Sequence, residues 1–195
     1  MQGLLRLSGY IDRLNDWCGR IFMNLVLVAV LVSAGNAIIR KLFETSSNAF
    51  LEAQWYLFGA IFLLCAGYAL KKNAHVRIDI IIGRFSGRTY AWIDIFGSLF
   101  FLLPLCVLVT YYSWGQALKA FRIGEMSSDA GGLIRWPVLV LIPIGFALLG
   151  LQGVSVIIKN VAFLRGLIPF PYEHQEKSDE EALIEDLKSR REEPK

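Results

Sequence analysis

The chain has 195 residues, of which 55% are hydrophobic and 19% are charged, and its formal net charge is +3. Soluble globular domains carry about 25% charged residues, so this composition argues against a soluble domain. Its few basic residues flank apolar stretches instead of forming a patch, so no nucleic-acid partner is expected. Long stretches nearly free of charge predict an integral membrane protein.

Four apolar stretches are long enough to cross a bilayer. The predicted spans are residues 21–39, 53–70, 92–112 and 136–158. Helices are expected because backbone groups in hydrocarbon must be hydrogen-bonded within their own segment. The sequence therefore predicts an all-α integral membrane protein with one domain of four transmembrane helices over residues 1–170. A hydrophilic, acidic tail over residues 171–195 is expected to be flexible.

The residues before the first predicted span form an amphipathic pattern. Leu4, Leu7, Ile11 and Leu14 recur at spacings of three and four, with charged residues between them. This spacing is typical of a helix with one apolar face. Two interpretations remain open: an interfacial amphipathic helix on the inner membrane surface, or an extension of the first span beyond the bilayer.

The distribution of basic residues predicts the orientation of the chain in the membrane. The N-terminal tail, the second loop and the segment 159–165 together hold 10 Lys and Arg residues, against 5 in the first and third loops. Loops that are rich in Lys and Arg stay in the cytoplasm. We therefore expect a multi-pass protein of the bacterial inner membrane with both termini in the cytoplasm.

Two segments follow the third predicted span. Over residues 111–121 nothing except Gly115 interrupts a helix, so the third helix can continue beyond the bilayer. Residues 126–135, MSSDAGGLIR, are rich in Ser and Gly and predict a turn region on the outer face.

Little in the sequence points to catalysis. Both histidines, His75 and His174, lie outside the predicted spans, and the three cysteines have neither metal-site nor disulfide spacing. The sequence contains no phosphate-binding glycine loop and no zinc-protease motif. We therefore expect no catalytic, cofactor-binding or metal-binding residues, and no enzymatic activity.

Few polar residues lie within the predicted spans. Glu52 opens the second span, and a charge near hydrocarbon is a functional candidate because its burial is costly. We expect Glu52 either to lie at interface depth or to hydrogen-bond a neighbouring helix or a partner protein. Four other polar residues in the spans are scattered over different helices: Asn24, Asn36, Ser98 and Gln152. Because they are scattered, they argue against a transport pathway within this chain alone.

Prolines and small residues predict how the helices are shaped and packed. Pro104 and Pro143 lie near the middle of the third and fourth spans, where each removes a backbone hydrogen bond and is expected to kink its helix. Ala29, Ser33 and Ala37 form a ridge of small residues on the first span. Such a ridge allows close helix packing, either within the chain or against a partner.

The segment LKKNAHVRIDI follows the second span. Its basic residues act as topology determinants, but apolar and charged positions also alternate over residues 75–80. We expect a short segment on the membrane surface in which Arg77 pairs with Asp79 or with lipid phosphates, and in which His75 is an interface residue and not a catalytic one.

Two blocks of the sequence resemble a known family. Residues 52–80, EAQWYLFGAIFLLCAGYALKKNAHVRIDI, combine a glutamate at the start of a span, an aromatic-rich helix, a basic pair and the sequence HVRID. Residues 131–153, GGLIRWPVLVLIPIGFALLGLQG, combine an Arg-Trp-Pro entry with an Ile-Pro-Ile-Gly-Phe core. In a chain of four spans, these blocks resemble the DctQ-type small membrane subunit of the tripartite ATP-independent periplasmic (TRAP) transporters. The resemblance covers residues 10–165.

The resemblance implies a scaffold role in a sodium-coupled transporter of organic acids. It implies that a large membrane subunit carries the substrate and sodium sites, and that a periplasmic substrate-binding protein delivers the substrate. The small subunit packs against the large one among membrane lipids. The residues that match the family motifs, expected at a subunit interface or in structural roles, are Glu52, Trp55, His75, Arg77, Asp79, Arg135, Trp136, Pro137, Pro143 and Gly145.

Two alternatives from other functional classes remain open. A membrane-anchor subunit of a redox complex would need haem or quinone sites, and the absence of histidine from the predicted spans argues against haem ligation. A stand-alone small channel would need a polar pore, which the four predicted spans do not offer.

Overall fold

The computed structural model describes residues 1–43, 47–73 and 87–171. Over these residues the elements are, in chain order, α1 (Gln2–Phe43), α2 (Asn48–Lys71), α3 (Gly87–Gly97), a π-helical turn (Ser98–Leu102), α4 (Leu103–Ile123) and α5 (Trp136–Leu164). No strand is present in these ranges, where one isolated bridge joins Met126 to Ile134.

Four helices in the described part of the chain are long and apolar enough to cross a membrane. They are α1, α2, α5 and the 37-residue helix that α3, the π-helical turn and α4 form together. Each contains one predicted span, so the prediction of an all-α membrane fold with four spans is confirmed. The helices are longer than the spans: α1 has 42 residues and measures about 63 Å, against about 30 Å of hydrocarbon.

The bundle has two chemically different ends. At one end α1 begins and α2 and α5 finish, and we call it the basic end because Lys71 and Lys159 lie there. At the other end α2 begins and residues 124–135 connect α4 to α5, and we call it the loop end. Gly124 ends α4 in the left-handed conformation (φ 60°), which glycine adopts without steric cost.

Helix α5 lies at the centre of the bundle. Helices α1, α2, α3 and α4 all pack against it, and more of its residues are buried than in any other described helix. By contrast, α1 has no buried residue between Gly19 and Asn36. The bundle is therefore organised around α5, and the middle of α1 lies on its surface.

The N-terminal amphipathic segment is continuous with the first span. Residues 2–20 and 21–43 belong to one uninterrupted α1, so of the two open interpretations the structure shows an extended helix and no separate surface helix. Ile11 is buried, whereas Leu4, Leu7 and Leu14 are exposed. The extension packs against α5 through a different face, on which Ser8 and Asn15 lie buried.

A kink was predicted at Pro104, and the structure shows a π-helical turn just before this residue. Residues 98–102 are π-helical, and the Leu103 amide donates to the Ser98 carbonyl five residues back. Pro104 follows directly, and a widened turn accommodates a residue that cannot donate a backbone hydrogen bond. The helix then continues to Ile123, as expected from the uninterrupted pattern of residues 111–121.

Glycines mark the places where helices approach most closely. At Gly145 of α5, an added Cβ would lie 2.7 Å from the Leu63 carbonyl oxygen of α2. At Gly153 of α5, it would lie 2.7 Å from Leu102 Cδ2 in the π-helical turn. Such contacts let backbones approach without intervening side chains, which is how membrane helices gain van der Waals energy.

Candidate functional site

The first predicted site residue, Glu52, lies at the loop end and is 6% exposed. Its carboxylate reaches across the bundle to the α4–α5 connection, not to another helix. Oε1 accepts a hydrogen bond from the Ser127 hydroxyl, and Oε2 accepts one from the Leu133 amide at 2.6 Å. Both oxygens therefore hold one loop, and we call this arrangement the loop clamp.

The clamped loop is itself ordered by backbone hydrogen bonds. The Ser127 amide donates to the Leu133 carbonyl at 3.0 Å, and the Arg135 amide donates to the Glu125 carbonyl at 2.9 Å. A side-chain pair between Arg135 and Glu125 at 2.9 Å closes the base of the loop. An added Cβ on Gly132 would lie 2.7 Å from Glu52 Oε1, so glycine permits the carboxylate to approach. The predicted turn region is thus a small closed loop.

Two further side chains of α2 attach the same loop. The Asn48 amide donates to the Ala130 carbonyl at 3.0 Å, and the Tyr56 hydroxyl donates to the Ile134 carbonyl at 3.2 Å. Asn48, Glu52 and Tyr56 are four residues apart and therefore share one face of α2. This face fixes the position of the loop relative to α2.

The other predicted residues of the loop end surround this clamp. Arg135 precedes α5, Trp136 and Pro137 begin it, and the Trp136 ring meets Phe121 of α4 edge-on at 5.3 Å. Trp55 projects outward and is 72% exposed. The structure therefore brings Glu52 and Arg135–Pro137 to one end of the bundle, while the Trp55 side chain faces the surroundings.

Pro143 and Gly145 lie apart from that group, in the middle of the bundle. Both are buried on α5, where Gly145 is the closest approach to α2. They are packing residues in this structure. The predicted residues His75, Arg77 and Asp79, and the tail after Pro171, lie outside the described residues.

A polar cluster at the basic end was not predicted from the sequence. Asp12 of α1 accepts hydrogen bonds at Oδ1 from Gln152 Nε2 (3.0 Å) and the Ser155 hydroxyl (2.7 Å), and pairs with Lys159 through Oδ2. Asp12 and Lys159 are mostly buried, with 14% and 29% of their side chains exposed. All three partners belong to α5, so we call this arrangement the α1–α5 clamp.

Neutral groups extend this clamp on both sides. Asn15 Nδ2 donates to Gln152 Oε1 at 2.9 Å, and the hydroxyls of Ser8 and Ser155 are 2.7 Å apart. Because the Ser155 hydrogen goes to Asp12, the Ser8 hydroxyl is the donor in that pair. Among the described residues Asn15 Oδ1 has no hydrogen-bond partner, and it lies where a Cβ on Gly67 of α2 would be.

A second ion pair connects α1 to α2 at the same end. Lys71 Nζ lies 2.5 Å from Asp16 Oδ2 and 3.4 Å from the Asp12 carbonyl oxygen. Asp12 and Asp16 are one turn apart, and they bind the last residue of α2 and a lysine near the end of α5. The α1–α5 clamp and this second ion pair therefore hold α1, α2 and α5 together.

The sequence signals for this clamp were present but were interpreted differently. Gln152, Ser155 and Lys159 share one face of α5 through spacings of three and four, and Asp12 and Asp16 share one face of α1. Gln152 does lie on a different helix from Asn24, Asn36 and Ser98, as expected, but the hydrogen bonds of its side chain to Asn15 and Asp12 were not predicted.

The described surface contains two apolar grooves. One, of about 550 Å³, lies between α1 and α2 and is lined by residues that include Ala29, Ser33, Phe58 and Ile61. The small residues Ala29 and Ser33 of the predicted ridge thus border an open groove instead of a tight helix contact. The other, of about 590 Å³, lies between α4 and α5 around Cys106 and Gly150.

The described residues contain no group of three or more His, Cys, Asp or Glu side chains that could hold a metal ion. The two clamps join elements of the chain to one another, and their polar atoms bond to each other. Chemically, this arrangement is suited to holding helices and a loop in fixed relative positions.

Comparisons with known proteins point to one family. Residues 13–163 match the family described as "Tripartite ATP-independent periplasmic transporters, DctQ component". The chain is also similar to the C4-dicarboxylate TRAP transporter small permease protein DctQ of Pseudomonas aeruginosa, with 26% identity over 133 residues. That match covers 66% of this chain and 61% of the relative, so the chain spans less than two thirds of the relative's length. No solved structure matches the chain.

Proposed function

We propose that this chain, which belongs to the DctQ component family of the tripartite ATP-independent periplasmic transporters, serves as the scaffold subunit of a sodium-coupled uptake system for organic acids. Family membership and four apolar helices make it a multi-pass inner-membrane protein and a transporter small permease subunit. Its proposed partners are a large membrane subunit, which would carry the substrate and sodium sites, and a periplasmic substrate-binding protein.

An aromatic ridge on α2 is the observation that carries the scaffold proposal. Trp55, Phe58 and Phe62 follow one another at spacings of three and four, and they are 72%, 71% and 72% exposed. They therefore form one continuous ridge along a single face of α2. Large aromatic side chains are the residue type that anchors protein–protein interfaces.

The ridge adjoins the groove between α1 and α2. Phe58 belongs to the ridge and also lines the groove, opposite Ala29 and Ser33 of α1. A projecting ridge beside a groove bordered by small residues offers complementary shapes to a neighbouring membrane helix. We assign this face of α1 and α2 to the large subunit.

The two clamps support the same role. A scaffold has to keep its shape while its partner moves, and each end of this bundle is held by hydrogen bonds that cross between elements. The loop clamp holds the α4–α5 connection on α2, and the α1–α5 clamp holds α1 on α5.

Reconstituted transport tests the sodium coupling and the class of substrate. The large subunit, the binding protein and this chain are placed in liposomes with an inward sodium gradient, and uptake of labelled C4-dicarboxylates and other organic acids is measured. We expect uptake of an organic acid that requires all three proteins and stops when the sodium gradient is collapsed. An equal rate without this chain would contradict the proposal, and uptake unaffected by the sodium gradient would contradict the coupling.

A further inference from the structure

The exposed side of the first turns of α1 carries a cleft whose residues belong to neither clamp. Arg6, Gly9, Tyr10 and Arg13 line a hollow of about 370 Å³. Gly9 leaves the hollow open, since no side chain or other element of the described residues lies within 4 Å of a Cβ added there, apart from its chain neighbours. Within the described part of the chain, neither guanidinium group makes an ion pair or a side-chain hydrogen bond. We call this hollow the arginine cleft.

The cleft belongs to a pattern that repeats every seven residues, or about two helical turns. Arg6 recurs as Arg13 and Arg20, which are all exposed. Tyr10 recurs as Trp17, and these two are 68% and 58% exposed. The exposed face of α1 thus carries a basic stripe with an aromatic stripe beside it.

An apolar stripe completes the repeat on the far side of the aromatic one. Leu7, Leu14 and Ile21 also follow the seven-residue spacing, and they are 48%, 41% and 39% exposed. Exposed basic, aromatic and apolar residues together are typical of the part of a membrane helix that leaves the hydrocarbon for the headgroups.

The α1–α5 clamp determines the depth of this face in the membrane. Asp12 pairs with Lys159 and Asp16 pairs with Lys71, and both lysines lie at the helix ends that finish the apolar spans. Lysines at span ends place their charges at the interface. The turn of α1 that carries Asp12 and Asp16 is therefore held at the interface, with Arg13 between them.

We propose that the arginine cleft binds the headgroup phosphate of an anionic membrane phospholipid. Arg6 and Arg13 would each donate paired N–H groups to the phosphate oxygens, and the Tyr10 hydroxyl would donate a further hydrogen bond. The exposed residues Leu14 and Ile21, which lie toward the span, would contact the acyl chains of the same lipid.

The sequence of exposed residues along α1 favours a lipid over a partner protein as the occupant. A lipid places its phosphate at headgroup level and its acyl chains deeper, and along α1 the arginine cleft is followed, toward the span, by the exposed apolar residues Leu14 and Ile21.

Lipid titration of the full chain tests this inference. The purified protein in a neutral detergent is titrated with short-chain phosphatidylglycerol, phosphatidylcholine or inorganic phosphate, and binding is followed by the shift in melting temperature. We expect stabilisation by phosphatidylglycerol well above that by phosphatidylcholine, and none by inorganic phosphate. Each basic residue near an anionic lipid contributes about five-fold in affinity, so R6Q/R13Q should bind phosphatidylglycerol roughly thirty-fold more weakly.

Two further variants distinguish the cleft from general charge. Gly9→Leu fills the hollow without changing the charge and is expected to weaken phosphatidylglycerol binding. Lys119→Gln/Arg122→Gln removes two exposed charges on α4 and is expected to leave it unchanged. Circular dichroism confirms that each variant keeps its helix content.

Three results would overturn the assignment. The first is equal phosphatidylglycerol binding by the wild type and R6Q/R13Q. The second is equal stabilisation by inorganic phosphate, which would make the cleft a site for a free anion. The third is loss of the large subunit from R6Q/R13Q while lipid selectivity persists, which would make the surface a protein interface.

Discussion

At the scale of single residues, Glu52 shows how much of a site a sequence can reveal. A lone carboxylate at the start of an apolar span is identifiable because charge is costly there. Glu52 was expected to lie at interface depth or to hydrogen-bond a neighbouring helix or a partner protein. The structure gives it partners in a loop 75 and 81 residues later. No local pattern connects those positions, so the loop clamp could not be predicted from periodicity.

Replacing Glu52 with glutamine tests the loop clamp. Both carboxylate oxygens accept hydrogen bonds, and in glutamine one of them becomes an NH₂ group that cannot accept. We expect faster hydrogen exchange at the Leu133 amide and a lower melting temperature in Glu52→Gln. Asp129→Asn serves as the control, because it removes an exposed carboxylate from the same loop but leaves Glu52 and the Glu125–Arg135 pair in place. Equal exchange at Leu133 in the wild type and Glu52→Gln would contradict the role given to Glu52.

A double-mutant cycle tests the α1–α5 clamp. Asp12 and Lys159 are changed to alanine singly and together, and the free energy of unfolding is measured in mixed detergent micelles. Since the pair is mostly shielded from solvent and charge-assisted, we expect a coupling energy of about 1–3 kcal/mol.

The matched control for this cycle is the pair Glu125 and Arg135. It has a similar chemistry but is more exposed, with 32% and 48% of its side chains accessible, so we expect a coupling below about 1 kcal/mol. Equal coupling in the two cycles would show that the Asp12 cluster is no stronger than a surface ion pair.

At the scale of helices, the long stretches without charge predicted that four membrane helices exist. How far each helix extends beyond its span depends on packing between helices. All four predicted spans are helical, but α1 and α5 run further because the polar residues beyond their spans bond to one another. A kink was predicted at Pro104, and the structure shows a π-helical turn over residues 98–102 just before it. The form of such a turn depends on contacts between helices, and the residue pattern of one helix does not contain this information.

Alanine at Gly145 tests the close approach of α2 and α5. Its Cβ would meet the Leu63 backbone, which cannot rotate away, so we expect Gly145→Ala to lower the free energy of unfolding by about 1–3 kcal/mol. Gly115→Ala makes the same change in α4, where no atom lies within 4 Å. Alanine is the better helix former, so that variant should be unchanged or up to about 1 kcal/mol more stable. Equal stability of the two variants would contradict the proposed packing.

At the scale of the whole molecule, the distribution of basic residues leads us to propose that the basic end faces the cytoplasm. Periplasmic-only phosphatase and cytoplasm-active fluorescent protein, each fused to the C-terminus, measure this orientation. We expect fluorescence without phosphatase activity. Phosphatase activity without fluorescence would contradict the proposed orientation. The clamped loop at the loop end would then face the cytoplasm instead of the periplasm.

The membrane class, the four spans and the family resemblance of the whole molecule were predictable from the sequence. They depend on composition, on hydropathy and on two motif blocks, all of which are local in the chain. The α1–α5 clamp was not predictable, since it joins residues more than a hundred positions apart. The exposed ridge of Trp55, Phe58 and Phe62 also had to await the structure, because hydropathy does not distinguish a buried aromatic face from an exposed one.

The central claim is that this chain binds a large membrane subunit laterally through the face formed by α1 and α2. Its most direct test is co-purification of the tagged large subunit with the wild type, with Trp55→Ala/Phe58→Ala/Phe62→Ala, and with Phe101→Ala/Tyr111→Ala as an exposed aromatic control on the π-helical turn and α4. The account predicts an equimolar complex for the wild type and the control, and little or no complex for the triple variant. A wild-type chain that is stable but never co-purifies, or a triple variant that binds as the wild type does, would contradict it.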